Sequence, residues 1–136
     1  LGKAMARNRG RVARVLAQIR ARLGDDLAGK RVLVAGVTYK PDVVDLRAAA
    51  PLRLLRHLHD ARAELAWHDP VLSVIPKALS AIPRSAALTM PDGAQPAAII
   101  LGTPHRAFDL AAIARAAPLV FDPFGILPAG SSVIVV

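Results

Sequence analysis

Arg31-Val-Leu-Val-Ala-Gly-Val-Thr-Tyr-Lys-Pro-Asp-Val-Val-Asp-Leu-Arg47 is the stretch from which the rest of the chain is read. Val32 to Val37 is a short, valine-rich apolar run, the pattern of a strand buried on both faces, as in parallel sheets. Gly36 closes it. Lys40, Asp42, Asp45 and Arg47 follow at once, and a helical pattern opens near Pro51, a residue suited to a first helical turn. In α/β proteins a buried strand that passes through a charged turn into a helix is a place for ligand chemistry.

Outward from this stretch the elements alternate. Upstream, residues 4–23 read as a helix, with Met5, Val12, Val15, Leu16, Ile19 and Leu23 on one apolar stripe. Downstream, a helix to about Asp60 carries Leu52, Leu55 and Leu58 inward. Strands are expected at 31–38, 64–68, 97–101, 119–122 and 132–136, a short one at 86–90, and a helix at 108–116. Residues 71–85 are less regular. This order predicts an α/β, Rossmann-like, three-layer α/β/α domain with a mainly parallel sheet, preceded by a basic N-terminal helix.

Composition narrows the function. The 136 residues are 54% hydrophobic but only 4% aromatic, so the core is aliphatic. No apolar run approaches the roughly 20 residues of a membrane helix. The chain has no cysteine, which excludes disulfides, thiolate metal sites and cysteine nucleophiles within it; this fits a cytoplasmic location. It opens Leu1-Gly2-Lys3, with no initiator Met and no apolar leader, and so reads as a piece of a longer protein. The net charge is +8, but residues 1–31 hold nine Lys/Arg against two Asp, and residues 32–136 hold nine against eight acids. Nearly all the excess therefore sits on the first segment, residues 1–31. Without interleaved aromatics or a recognition helix, nucleic-acid binding is a weaker reading than a solvated or partner-facing helix face.

Polar groups recur at the strand ends: Lys40, Asp69, His105 and Asp122. For any one of them, strand termination and turn capping is the plainer reading. The whole set on one sheet edge favours a site, because the carboxyl ends of parallel strands line one crevice. The turn after Val37 lacks Gly-x-Gly-x-x-Gly, and no Walker A loop is present, so backbone amides are not expected to cradle phosphate. Lys40 and Arg47 are the side-chain cations available to an anionic ligand there. The four histidines have no metal-ligand spacing, and no Ser-His-Asp arrangement is visible.

These residues resemble a family. Gly36-Val-Thr-Tyr-Lys-Pro-Asp-Val-Val-Asp-Leu-Arg47 is similar to the signature that opens the C-terminal domain of the UDP-glucose/GDP-mannose dehydrogenases. The likeness continues through His68-Asp-Pro70, Ile99-Ile-Leu-Gly-Thr-Pro-His105 with Phe108, and Phe121-Asp-Pro-Phe-Gly-Ile-Leu127. It implies a linking helix at 1–29 and a nucleotide-sugar-binding domain at 30–136. It further implies an NAD-dependent 6-dehydrogenase that oxidises a UDP-sugar to a uronic acid for polysaccharide biosynthesis and works as a homodimer. Tyr39, Lys40, Asp69, His105 and Asp122 are then expected at the substrate, and Arg47 at the cofactor. The glycine fingerprint and catalytic cysteine would lie in the rest of a parent chain, leaving this portion inactive alone. Where the family usually has Arg-Glu-Ser, this chain has Arg47-Ala-Ala49. A non-catalytic nucleotide sensor is the alternative.

Overall fold

The computed structural model describes residues 2–136, with side chains from Arg9 onward; Met5 and Arg7 lie outside the described side chains. The elements are α1 (Gly2–Leu23), β1 (Arg31–Ala35), α2 (Ala50–Asp60), β2 (Glu64–His68), a 3₁₀ turn (Lys77–Leu79), β3 (Ala98–Leu101), α3 (Leu110–Arg115), β4 (Leu119–Asp122) and β5 (Val133–Val135). All four pairings in the sheet are parallel, in the order β2-β1-β3-β4-β5.

Alternation along each strand divides the core between the two faces of the sheet. Val32, Val34, Leu65, Trp67, Ala98, Ile100 and Phe121 meet α1 and α2 on one side. Leu33, Ala35, Ala66, Ile99, Leu101 and Val120 meet α3 and Met90 on the other. The result is the three-layer α/β/α arrangement expected. The apolar stripe of α1 (Val12, Val15, Leu16 and Ile19) is buried in the same cluster as the sheet, so this helix shares the core of the domain. On α2, Leu54 is buried with Leu55 and Leu58, while Leu52 is only partly covered.

One expected strand is absent. Residues 86–89 form bends, and the Met90 N–H turns to the Ala94 carbonyl. The outer edge of β2 is met instead by 83–85: Trp67 N–H donates to the Pro83 carbonyl and Ser85 N–H to the Trp67 carbonyl. Those bonds cap the edge strand one turn earlier, so the apolar pattern of 86–90 has no ladder left to join.

Two glycines bring β1 and β3 together at their carboxyl ends. Gly36 has φ +85°, and a Cβ there would collide with the Thr103 backbone. A Cβ on Gly102 would collide with the Gly36 carbonyl oxygen. From β1 the chain moves outward to β2, and from β3 it moves the other way to β4 and β5. The gap between β1 and β3 is thus the topological switch point, where open α/β sheets bind ligands.

Candidate functional site

A crevice opens at this switch point, lined by Arg11, Tyr39, Pro41, Ala50, Pro51, Gly102, Thr103, Pro104 and Phe124. The ends of β1 and β3, the start of α2, the loop after β4 and one side chain of α1 all meet there.

The turn after β1 is held by side chains that lie far away in sequence. Asp69, fully buried, accepts from the Val37 and Val71 N–H groups (both 2.8 Å) and pairs with His105 Nε2 at 2.9 Å. The Asp42 N–H donates to His105 Nδ1 at 2.8 Å. That nitrogen must therefore present its lone pair, which places the ring proton on Nε2, donated to Asp69. The neutral imidazole thus bridges a buried carboxylate and the backbone two residues beyond Lys40. Thr103 Oγ1 donates to the Thr38 carbonyl (2.6 Å), Thr38 Oγ1 to the Lys40 carbonyl (2.7 Å), and Arg106 ties down the Asp42 carboxylate through N–H and Nε. Burial works against the charge on Asp69, but the bonds from His105, Val37 and Val71 outweigh it and hold its pKa below the ordinary carboxylate value.

Asp122 plays a similar part beyond β4. Its buried carboxylate accepts from the N–H groups of Phe124, Gly125 and Leu127 at 3.0, 2.9 and 2.8 Å. The loop it closes presents Phe124 to the crevice. Of the expected site residues, Asp69, His105 and Asp122 are therefore spent on shaping backbone, while Tyr39 lines the crevice directly. Lys40 is exposed, its ammonium 5.8 Å from the Tyr39 ring centroid. Arg47 is 91% exposed and pairs with Asp45 at 3.2 Å, which lowers the Asp45 pKa.

The turn does not fit the pyrophosphate of a dinucleotide. The space a glycine cradle would leave at Gly36 is filled by Thr103, and the next N–H, Val37, is already given to Asp69. Among the described residues there is no group of three His, Cys, Asp or Glu that could hold a metal ion, and no helix long and apolar enough to cross a membrane.

Reading the sequence missed Arg11. Its guanidinium stacks 4.6 Å over the Phe124 ring and borders the crevice. In sequence it is one of a row of arginines. Only the fold sets it apart: Arg9, Arg14, Arg20 and Arg22 are exposed, whereas Arg11 is partly buried.

Comparison with known proteins bears on the family and the fold. Residues 33–129 match the family model described as the UDP-glucose/GDP-mannose dehydrogenase family, UDP binding domain. A UDP-glucose 6-dehydrogenase of Haloferax volcanii is 41% identical over 64 residues, which is 47% of this chain and 14% of that protein. Two solved structures share the fold at 20% identity. A UDP-glucose dehydrogenase from Pyrobaculum islandicum aligns over 93% of this chain and 29% of its own (TM-score 0.64). An NDP-N-acetyl-D-galactosaminuronic acid dehydrogenase from Methanosarcina mazei aligns over 92% and 28% (TM-score 0.68). This chain thus spans less than a third of the length of these solved relatives. The matched span runs from β1 through the loop beyond β4 and takes in every strand end of the crevice, and by it the chain belongs to the UDP-glucose/GDP-mannose dehydrogenase family, as its UDP binding domain.

Proposed function

We propose that the chain is the C-terminal, nucleotide-sugar-binding portion of an NAD-dependent nucleotide-sugar 6-dehydrogenase that oxidises a UDP-sugar to the uronic acid. The observation that carries this is the crevice between β1 and β3, lined, apart from Arg11, by residues of the matched span. Lys40 binds the substrate nucleotide electrostatically. It stands beside the crevice on a turn braced by Thr103, His105 and Arg106, and among the described residues no carboxylate pairs with it at contact distance. The braced turn fixes where the Lys40 stem leaves the backbone, and the ammonium is free to meet phosphate as a point charge. Tyr39 forms the adjoining wall. Asp69, His105 and Asp122 act on the ligand through the loops they hold.

NAD is assigned to the rest of the parent chain, because the β1 turn here does not suit a dinucleotide. Arg47 is the residue proposed to reach the cofactor side. Val43 (48% exposed) and Val44 (68%) project from the same turn, which suits a face covered by the remainder of the protein or by a second copy.

Chemical-shift titration of the chain with UDP, GDP and a short DNA duplex tests the proposal. UDP should give saturable shifts at residues 36–47 and 102–105, and Lys40→Ala should weaken binding about tenfold without changing the melting temperature. Shifts confined to exposed α1 arginines, with DNA as the ligand, would replace nucleotide binding by nucleic-acid binding.

A further inference from the structure

We infer that Arg11 is an anion-binding residue of this crevice, aimed at the diphosphate of the bound nucleotide. The inference rests on the nucleotide-binding function proposed above and adds to it a ligand contributed by α1.

Three features of Arg11 point the same way. Its Nε atom is buried and has no hydrogen-bond partner. The guanidinium carbon sits 4.6 Å from the Phe124 ring centroid, a cation–π contact that uses none of its N–H donors. No carboxylate forms an ion pair with it among the described residues. A cation in that setting is electrostatically uncompensated, and burial, with the like charge of Arg14, pushes its pKa down from the ordinary arginine value. Such a group costs stability unless something anionic completes it.

The crevice supplies the place for that anion. Arg11 is the one cation lining it among the described residues. It also borders the smaller apolar notch behind, with Val12, Val15, Leu54 and Ile100, so its stem is anchored in the core. Ala50 and Pro51 bring the first turn of α2 to the same crevice. Ala49, at the N-cap, gives that helix no side-chain hydrogen bond. Pro51 has no N–H and the Leu52 and Arg53 N–H groups are given to the Ala49 carbonyl, so what the start of α2 offers an anion is the Ala50 N–H and the positive end of the helix dipole, at the crevice that Arg11 also lines. Phosphate oxygens bridging the two would satisfy both, and Arg offers a planar fork matched to phosphate.

Calorimetric titration with UDP and with uridine, on the wild-type chain and on Arg11→Gln, decides the matter. Arg11→Gln should weaken UDP about tenfold or more and change uridine by less than about twofold, since only the diphosphate meets the guanidinium. Arg11→Lys should recover part of the UDP affinity. Equal losses for UDP and uridine would overturn the inference by making Arg11 a wall residue, and so would UDP affinity unchanged in Arg11→Gln; in both cases nucleotide binding itself would stand. Failure of the wild-type chain to bind UDP would overturn both. If Arg11→Gln loses its fold by circular dichroism, Arg11→Met keeps the apolar stem on Phe124 and carries the same comparison.

Discussion

Asp69 is fully buried and ionised, and it earns that position by closing a circuit. Its oxygens take two backbone N–H groups and the His105 ring proton. Asp69→Asn keeps the shape but puts an amide among donors, and should cost about 2–3 kcal/mol in urea unfolding. The sign of its pH dependence follows from its lowered pKa. The carboxylate contributes its full stability above the unfolded value of roughly 4, and that stability is lost as pH falls through the lower folded value. Between pH 5 and pH 2 the wild type should therefore lose more stability than Asp69→Asn, as acid titration of the melting temperature would show. The strand-end positions of Asp69, His105 and Asp122 were legible in the sequence because parallel strands end on one edge. Their partners were not: Val37 and His105 lie 32 and 36 residues from Asp69, and the Asp42 N–H lies 63 from His105. Arg11 was invisible for the same reason, since Phe124 is what distinguishes it from its neighbours on the helix.

Among the elements, the five strands that form the sheet were readable because valine, isoleucine, leucine and alanine recur along them, covered on both faces in β1 and β3 and less so at the edge strand β5. The expected strand at 86–90 was not readable as a bend, because what excludes it is the pairing of 83–85 with Trp67. Two elements carry tests. At the junction of β1 and β3, Gly102→Ala would drive a methyl group into the Gly36 carbonyl oxygen. The strands would have to separate, so the loss should exceed about 2 kcal/mol and the shifts of residues 36–39 should move with it. At the start of α2, Ala49 has extended backbone angles (φ −68°, ψ 126°) but no capping oxygen. Ala49→Ser restores the residue type usual in the family and should raise stability by about 0.5–1 kcal/mol in thermal unfolding. It should also shield the helix end proposed to face phosphate, so UDP affinity should not rise with stability.

For the molecule as a whole, the charge of +8 is a poor guide to function, because one helix, α1, carries seven Lys/Arg and no acid, and Arg9, Arg14, Arg20 and Arg22 on it are exposed. The buried side of that helix belongs to the core: Ile19 is completely inaccessible, and Val12, Val15 and Leu16 pack with it. A boundary drawn at residue 29 therefore separates sequence segments but not packing, and α1 has to travel with the sheet for the crevice to be complete, since it brings Arg11. This leads to a prediction about what the chain can do by itself. With both faces of its sheet covered, it should bind UDP as a unit, and saturating ligand should stabilise it by RT ln(1 + [L]/Kd), about 2.7 kcal/mol at a hundredfold excess over Kd. A melting temperature that rises with UDP and stays level with uridine at equal concentration would show that the diphosphate supplies the binding energy. Removing residues 1–29 should abolish that rise even if the remainder stays folded. Supplied with UDP-glucose and NAD together, the intact chain should form no NADH: it has no cysteine to take up the sugar aldehyde, and its β1 turn is closed to a dinucleotide by Thr103 and Asp69. Binding without turnover is the outcome that separates a substrate-holding domain from a complete enzyme.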